Sequence, residues 1–233
     1  MGNLLLKYLN DRFSDDQHAV LQKRLALNPV ITISREVGCN GVKLAELLAA
    51  SLNQRNPPVP WKVISKEVFF ESALKLNMDP EQVRKTLSQR EKFTFEEIIK
   101  AFNDKRFKSE QTIAKTIREV IHHFAVDGYC IIVGRAGNII AKDFKTAIHI
   151  RLIAPLEYRI KTIMDNNQLS REKAIKFIGE VEEERIAFRE SIFGDKVHEE
   201  MFDLILNRNS FSNEAMIEMI DFAAEKKGIF SKQ

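Results

Sequence analysis

Short apolar runs alternate along this chain with longer segments of helical periodicity. The apolar runs occupy positions 30–34, 61–65, 129–134, 147–153 and 202–207. Positions 130–133 read Cys-Ile-Ile-Val, and such a continuously apolar run is typical of a parallel strand whose two faces are both buried. Because parallel strands need crossover connections, the alternation predicts a mostly parallel five-stranded sheet with helices on both faces.

Several helices have recognisable starts. Asp79-Pro80-Glu81-Gln82 combines an N-cap, a proline at the first helical position and a capping-box glutamine, and Ser170 and Ser212 can cap later helices. The charge-rich stretch 84–108 keeps its phenylalanines and isoleucines at helical spacing. Together these signals predict a helical insertion over about 79–108 with one solvated face.

The first 28 residues read as an N-terminal helical appendage. Apolar side chains recur there near helical spacing, at Leu4, Leu5, Tyr8, Leu9 and Phe13. The polar residues between them are mixed in sign, which favours packing on the chain's own domain, or on a sister subunit in a homodimer, over membrane binding. Residues 29–233 are expected to form a single domain.

Composition agrees with a soluble domain. The 233 residues are 44% hydrophobic and 30% charged, which suffices for a compact core. The formal net charge is only +3, and a nonspecific nucleic-acid binder needs a larger or more segregated basic excess. No apolar run is long enough to cross a bilayer or to serve as a secretory core. The expectation is therefore a cytoplasmic protein without nucleic-acid or membrane partners.

Cysteine and histidine usage predicts neither a disulfide scaffold nor a metal site. Cys39 and Cys130 can form at most one bridge, and neither lies in a paired metal-ligand spacing. His122 and His123 fall on a predicted helix, and the other three histidines are widely separated. No metal-ligating residue is assigned.

The most informative segment joins the first predicted strand to the next helix. The strand ends at Ser34, a glycine-containing turn follows, and an amphipathic helix includes Leu44 and Leu48. Backbone N–H groups in such a turn and the positive end of the helix can bind phosphate. The candidate phosphate-binding residues are Arg35, Gly38, Cys39, Asn40, Gly41, Val42 and Lys43. A turn with no ligand is the alternative interpretation.

This turn departs from the phosphate-loop pattern G-x-x-x-x-G-K-[ST]. Arg35 and Asn40 stand at the two glycine places, Gly41 at the lysine, and Val42 at the metal-binding hydroxyl. Arg35 either contacts phosphate or braces the loop through the adjacent glutamate. Lys43 lies two residues beyond the usual lysine, a position that favours a helix-surface side chain over a phosphate ligand.

Several further motifs follow one another along the chain. They read Ile-Thr-Ile-Ser-Arg-Glu-Val-Gly at 31–38, Ile-Ile-Val-Gly-Arg-Ala at 131–136, Ala-Pro-Leu-Glu-Tyr-Arg at 154–159, Glu-Arg at 184–185 with Phe-Gly at 193–194, and Phe-Asp-Leu-Ile-Leu-Asn at 202–207. Together they resemble the cytidylate kinase-like family of bacterial phosphate-loop proteins over about residues 30–225. The resemblance implies a three-layer phosphate-loop NTPase fold, ATP and Mg²⁺ as cofactors, nucleotide substrates, and a mobile lid at about 165–195.

The same resemblance implies roles for individual residues. It assigns Arg135 to the acceptor monophosphate, with Ser65 beside it after the second strand; a surface ion pair is the alternative for Arg135. Arg185 matches a recurrent family arginine in the lid and, with Arg159, is a candidate catalytic residue. Arg189 lies one turn further on the same helix face. Solvated ion pairs within this charged helix are the alternative for Arg185.

Two departures from the family pattern bear on the substrate. Ser65-Lys66 stands where the family often has Asp-Lys, and Ala136 stands where cytidylate kinases have an aspartate, so cytosine recognition is in doubt.

Two hypotheses about function follow from the sequence. One is ATP-dependent phosphoryl transfer to a CMP-like monophosphate or another small acceptor, which the arginines favour. The other is a non-catalytic nucleotide-binding regulatory protein, which the missing lysine and hydroxyl of the loop favour.

Overall fold

A computed structural model describes residues 28–65, 110–193 and 198–230. Its strands are β1 (Val30–Arg35), β2 (Lys62–Ile64), β3 (Cys130–Val133), β4 (Ala147–Ile153) and β5 (Leu204–Asn207). The helices of these residues are α1 (Gly41–Asn53), α2 (Glu110–Asp127), α3 (Gly137–Ile140), α4 (Leu156–Asn167), α5 (Arg171–Phe193) and α6 (Asn213–Lys226). All five predicted strands are confirmed, and their ends differ from the prediction by no more than two residues.

The strands form one parallel sheet in the order β2-β3-β1-β4-β5. The central strand β1 pairs with β3 on one side and β4 on the other, so that Val30 lies between Cys130 and Ala147. Because every strand runs in the same direction, all the carboxyl ends meet at one edge of the sheet. Loops after neighbouring strands are therefore neighbours in space, which is the usual place for a ligand in such folds.

Helices cover both faces of the sheet. On one face, Ile31 and Ile33 of β1 pack with buried residues of α1 and α6, among them Leu44 and Met216. On the other face, α2 and α3 pack against β3 and β1, and Gly137 lies close to Ile132. These layers confirm the predicted α/β architecture, and the burial of both faces explains the continuously apolar sequence of β3.

The predicted lid region is described as far as Phe193, whereas the appendage and the insertion are not. The helix expected within residues 1–28 and the insertion at about 79–108, with its cap at Asp79, lie outside the described residues. The two later caps are confirmed: Ser170 accepts a hydrogen bond from the N–H of Lys173 at 3.4 Å, and Ser212 from that of Ala215 at 3.3 Å. None of the described helices is long and apolar enough to cross a bilayer.

Candidate functional site

The segment between β1 and α1 makes a tight turn at the carboxyl edge of the sheet. Gly38 and Asn40 both have left-handed backbones, with φ of 93° and 47°. Glycine adopts this conformation freely and asparagine tolerates it, so Asn40 can replace the second glycine of the pattern. A side chain on Gly38 would in addition meet the backbone of Arg159, whose carbonyl oxygen lies 2.8 Å from an ideally placed Cβ. The turn is thus closely packed at Gly38.

The start of α1 presents uncapped N–H groups. The first backbone hydrogen bond of the helix runs from Leu44 to the carbonyl of Asn40 at 3.2 Å, so the N–H groups of the first turn precede it. Asn40 does not cap the helix, because its side-chain oxygen accepts a hydrogen bond from Asn166 at 3.0 Å. The first turn also lacks acidic residues. An uncapped helix start of this kind favours an anion.

Glu36 and Arg159 hold the turn in shape. The Glu36 carboxylate accepts a hydrogen bond from the N–H of Ala154 at 3.0 Å and lies 3.4 Å from Nε of Arg159. Arg159, in the first turn of α4, also donates to the carbonyl of Ala154 at 3.2 Å. These contacts tie the turn to the end of β4. Arg159 is engaged by protein groups here, and its expected catalytic role stays a prediction.

Helix α5 packs directly on the same turn. Nη1 of Arg185 donates to the backbone carbonyl of Arg35 at 2.9 Å. Almost one turn earlier, Oε1 of Glu182 accepts the N–H of Val37 at 2.5 Å and lies 3.8 Å from Nη1 of Arg159. The helix that was expected to form a lid therefore covers the loop, with Arg185 beside it. Glu182 was not anticipated, because it is one of several glutamates on a charged helix.

The side chain of Arg35 crosses the turn from Gly41 to Gly134. Its Cγ and Cδ lie 3.2 and 3.3 Å from the position of a Cβ on Gly41, and its guanidinium fills the space where Gly134 would carry a side chain. Desolvation by burial, followed by the positive charges of Arg185 and Arg135, lowers the pKa of Arg35 well below its ordinary value. Arg35 therefore brings an unfavourably placed cation to the junction of β1 and β3.

Further arginines extend this cluster. Burial also lowers the pKa values of Arg185 and Arg189, and each is affected by a neighbouring cation, Arg189 in the first case and Arg151 in the second. Glu182 is a negative group that offsets Arg35, Arg185 and Arg189. Desolvated cations that depress one another's pKa values gain stability from an additional anion. The cluster is consequently a candidate site for phosphate groups.

The predicted acceptor residues come together at the ends of β3 and β2. Nε of Arg135 donates to the backbone carbonyl of Ser65 at 3.5 Å, a long hydrogen bond. Gly134, Arg135 and Ala136 all have left-handed backbones, with φ of 71°, 55° and 54°. This conformation costs roughly 1–2 kcal/mol for a residue other than glycine. Strained backbone of this kind is concentrated at functional sites.

The remaining loop residues are Lys43, Cys39 and Val42. Lys43 is exposed on α1, and Cys39 is buried as a free thiol whose pKa burial raises to about 11. Val42 offers no oxygen where the pattern has a metal-binding hydroxyl. Within the three described ranges, no three His, Cys, Asp or Glu side chains converge as metal ligands. At position 42 the loop thus lacks the hydroxyl that usually binds Mg²⁺.

Comparison with solved structures supports the fold. An uncharacterized protein from Eubacterium ventriosum ATCC 27560 superposes with a TM-score of 0.62 at 18% identity, covering 85% of this chain and 99% of that one. Shikimate kinase from Bacteroides thetaiotaomicron gives 0.46 at 13% identity, with coverages of 86% and 96%. Dephospho-CoA kinase from Campylobacter jejuni gives 0.41 at 14% identity, with coverages of 87% and 98%. The first of these similarities, at 18% identity, supports the fold alone.

Sequence comparison is more specific. No curated protein matches the chain significantly. The sequence profile of the cytidylate kinase-like family, however, matches residues 30–210. This range contains all five strands, the turn after β1, the strained turn after β3 and helix α5. The chain belongs to the cytidylate kinase-like family.

Proposed function

We propose that this protein transfers a phosphoryl group from ATP to a nucleoside monophosphate, or to another small acceptor. Family membership supports a kinase-like activity. The observation that carries the proposal is the grouping of Arg135 and Arg185 around Arg35, whose side chain lies beside Gly41 at the uncapped start of α1. These arginines come from three distant parts of the sequence and meet at the edge where parallel sheets bind ligands.

Phosphoryl transfer depends mainly on positioning and on positive groups near the transferring oxygens. In the proposed arrangement, the N–H groups after Gly38 and the side chain of Arg35 bind the phosphates of the donor. Arg135, with Ser65 beside it, binds the phosphate of the acceptor. Arg185 stabilises negative charge between the two, and α5 excludes water from the closed site. Arg159 orients the loop through Glu36.

The cofactor that fits these residues is ATP. When bound, ATP supplies the phosphoryl group, and the uncapped first turn of α1 with its arginines would hold the phosphates. Mg²⁺ fits less well, because Val42 has no hydroxyl and the Glu36 carboxylate is already engaged by Ala154 and Arg159. We therefore assign no step to a loop-bound metal ion.

A second candidate function is nucleotide binding without turnover. The specific observation in its favour is Glu182, whose carboxylate occupies the N–H of Val37 and opposes the arginine cluster. Gly41 at the lysine place supports the same interpretation. A regulatory protein of this kind would bind nucleotide by releasing α5 from the loop, and would report the occupancy of the site through that movement.

Two measurements on the purified full chain distinguish these functions. ADP production is followed with ATP, Mg²⁺ and a panel of acceptors: CMP, other nucleoside monophosphates and small alcohols. The melting temperature is recorded with each nucleotide, because a ligand that binds the native state stabilises it. Acceptor-dependent ADP production that is lost in Arg185→Ala supports catalysis. Stabilisation by nucleotide without turnover supports the regulatory function. If nucleotides neither stabilise the protein nor are turned over, both proposed functions are contradicted.

A further inference from the structure

Two departures from the phosphate-loop pattern are reciprocal. In the pattern, the first position is glycine and a lysine follows the second glycine; that lysine reaches the terminal phosphates of the nucleotide. In this chain the first position is Arg35 and the lysine position is Gly41. A cation is absent at position 41, and another is present at position 35, six residues earlier. The loop has the same number of positive charges at these two places as the standard pattern.

The geometry shows that the two exchanges are connected. The Cβ, Cγ and Cδ atoms of Arg35 lie 3.5, 3.2 and 3.3 Å from the position that a Cβ on residue 41 would occupy. The aliphatic part of Arg35 therefore runs along the beginning of the path that a side chain on residue 41 would take. A lysine at position 41 and the present course of Arg35 would compete for this space.

The charged end of Arg35 is placed to receive a ligand. Within the described residues, the hydrogen bond that Arg35 receives from Arg185 is made at its backbone carbonyl and not at its guanidinium. The guanidinium lies against Gly134 and faces two other arginines, with Glu182 as an opposing charge. A residue that served only to brace the loop would be expected to pair with a nearby carboxylate. Glu36, the adjacent carboxylate, is instead held by Arg159 and Ala154.

We propose that Arg35 supplies, from the opposite end of the loop, the cation that a lysine at position 41 supplies in the standard pattern. Its guanidinium contacts the terminal phosphates of a bound nucleoside triphosphate, and Gly41 is required because it leaves room for the Arg35 side chain. The inference rests on the proposed function, since it needs a triphosphate in this site. It explains why the loop lacks its usual lysine without losing its charge.

The first test separates the effect of the positive charge at position 35 from the effect of side-chain volume. Arg35→Met keeps an unbranched side chain and removes the charge, whereas Arg35→Lys keeps the charge. Binding of a nonhydrolysable ATP analogue and of inorganic tripolyphosphate is measured by calorimetry. We expect about a 10- to 100-fold loss of affinity for both probes in Arg35→Met, the effect of losing charge-assisted hydrogen bonds, and a smaller loss in Arg35→Lys. The control is Lys176→Met on the exposed side of α5, where affinity should not change.

The melting temperature of the ligand-free variants separates a phosphate ligand from a structural brace. Arg35 is desolvated beside like charges, so Arg35→Met should not lower the melting temperature in the absence of ligand. A lower melting temperature together with unchanged affinity would overturn the proposal and identify Arg35 as a brace. Unchanged affinity at an unchanged melting temperature would overturn it as well.

The second test restores the standard arrangement. Arg35→Gly and Gly41→Lys should each weaken binding of the ATP analogue, the first by removing the cation and the second by displacing the Arg35 side chain. The double variant R35G/G41K should recover affinity to within about threefold of wild type, because the lysine then has both space and a ligand. A double variant that binds the ATP analogue no better than Arg35→Gly alone would contradict the proposal that Arg35 replaces the lysine at position 41. Wild-type protein that binds neither probe would instead overturn the proposed function itself.

Discussion

The guanidinium of Arg35 packs on the α-carbon of Gly134, so that any side chain at position 134 would overlap Nη1 of the arginine. Arg35 is the last residue of β1, and Gly134 follows the last residue of the neighbouring strand β3. This contact joins the proposed donor-phosphate loop to the proposed acceptor loop. A glycine is needed at position 134 both for its backbone, with φ of 71°, and for the space it leaves.

Gly134→Ala should therefore destabilise the protein and weaken triphosphate binding together. The left-handed backbone alone predicts a loss of about 1–2 kcal/mol in the free energy of unfolding, and the displaced Arg35 predicts a loss of affinity. Urea unfolding and calorimetry with an ATP analogue measure the two effects. Gly179→Ala is a matched control, because a Cβ on Gly179 in α5 meets no atom within 4 Å; it should be neutral or stabilising by up to about 1 kcal/mol. Wild-type affinity in Gly134→Ala would contradict the contact's proposed role.

Arg135→Ala should weaken acceptor binding selectively. Loss of a charge-assisted contact predicts a reduction of about 1.5–3 kcal/mol in monophosphate binding, and much less for an ATP analogue. The backbone conformation at position 135 is strained for either residue, so the effect on folding should be small. Calorimetric titration with CMP, other monophosphates and the ATP analogue measures the difference. Equal losses for donor and acceptor would show that the two subsites are not separate.

Glu182→Gln should strengthen binding of the ATP analogue. The amide oxygen of glutamine can still accept the N–H of Val37, but the negative charge that offsets Arg35, Arg185 and Arg189 is removed. The ligand-free protein should lose about 1 kcal/mol in its free energy of unfolding, since the cations become less compensated. Glu183→Gln, at the neighbouring exposed position, is the control. Weaker binding in Glu182→Gln would mean that this carboxylate supports the ligand instead of competing with it.

Helix α5 should change its amide exchange when nucleotide binds. Glu182 and Arg185 fix the helix to the loop in the ligand-free protein through Val37 and Arg35. Phosphates that enter the loop compete with these contacts, so protection over 171–193 is expected to differ between the free and the saturated protein. Hydrogen-exchange mass spectrometry measures this, with α6 as an internal reference. Identical protection of α5 in both states would argue against a lid.

Stability should fall at acid pH through His149. Burial lowers the pKa of this histidine from 6.5 to about 4; Asp203 raises it in part and Lys227 lowers it further. The unfolded chain therefore binds a proton that the folded chain excludes between pH 6.5 and 4. The contribution of His149 to the free energy of unfolding is fully present above pH 6.5. It declines as the pH falls, and the total loss is about 3 kcal/mol.

Urea unfolding of wild type and His149→Gln at pH 7.5 and pH 5 tests this effect. At pH 7.5 the variant should be less stable, since it loses the contact between Nδ1 and Oγ1 of Thr32, which are 2.8 Å apart. The difference in free energy of unfolding between wild type and variant should be smaller at pH 5. Only the wild type is destabilised there by protonation of His149 in the unfolded chain. A difference that is independent of pH would contradict a depressed pKa for His149.

The sheet could be predicted from sequence because its strands are buried on both faces. Every residue of β3 is apolar and most residues of β4 are, and this pattern does not depend on distant contacts. In β1 the apolar residues Val30, Ile31 and Ile33 are fully buried. The edge strands β2 and β5 were predicted slightly too long, since their outer residues are less buried and their ends are less constrained. Family motifs also predicted Arg135 and Arg185 as site residues. In the structure Arg135 contacts the carbonyl of Ser65 and Arg185 that of Arg35, and their functional roles stay predictions.

Side-chain directions within the site could not be predicted. Glu182 reaches Val37 from 145 positions away, a pairing that depends on how α5 packs on the loop. Nothing in the local sequence distinguishes Glu182 from its neighbour Glu183. Arg35 could be recognised as a departure from the pattern, but its path past Gly41 toward Gly134 follows from the meeting of β1 and β3. That positions 35 and 41 compete for the same space becomes visible only in three dimensions.

The contact between Glu182 and Val37 has a kinetic consequence. The turn after β1 is already held in shape by Glu36, Ala154 and Arg159, so nucleotide does not need to fold it. What must precede binding at the N–H of Val37 is the departure of the Glu182 carboxylate. The rate of nucleotide capture should then approach a plateau at high nucleotide concentration, equal to the rate at which α5 releases the loop. The helix, and not diffusion, would set how rapidly the protein responds to its ligand.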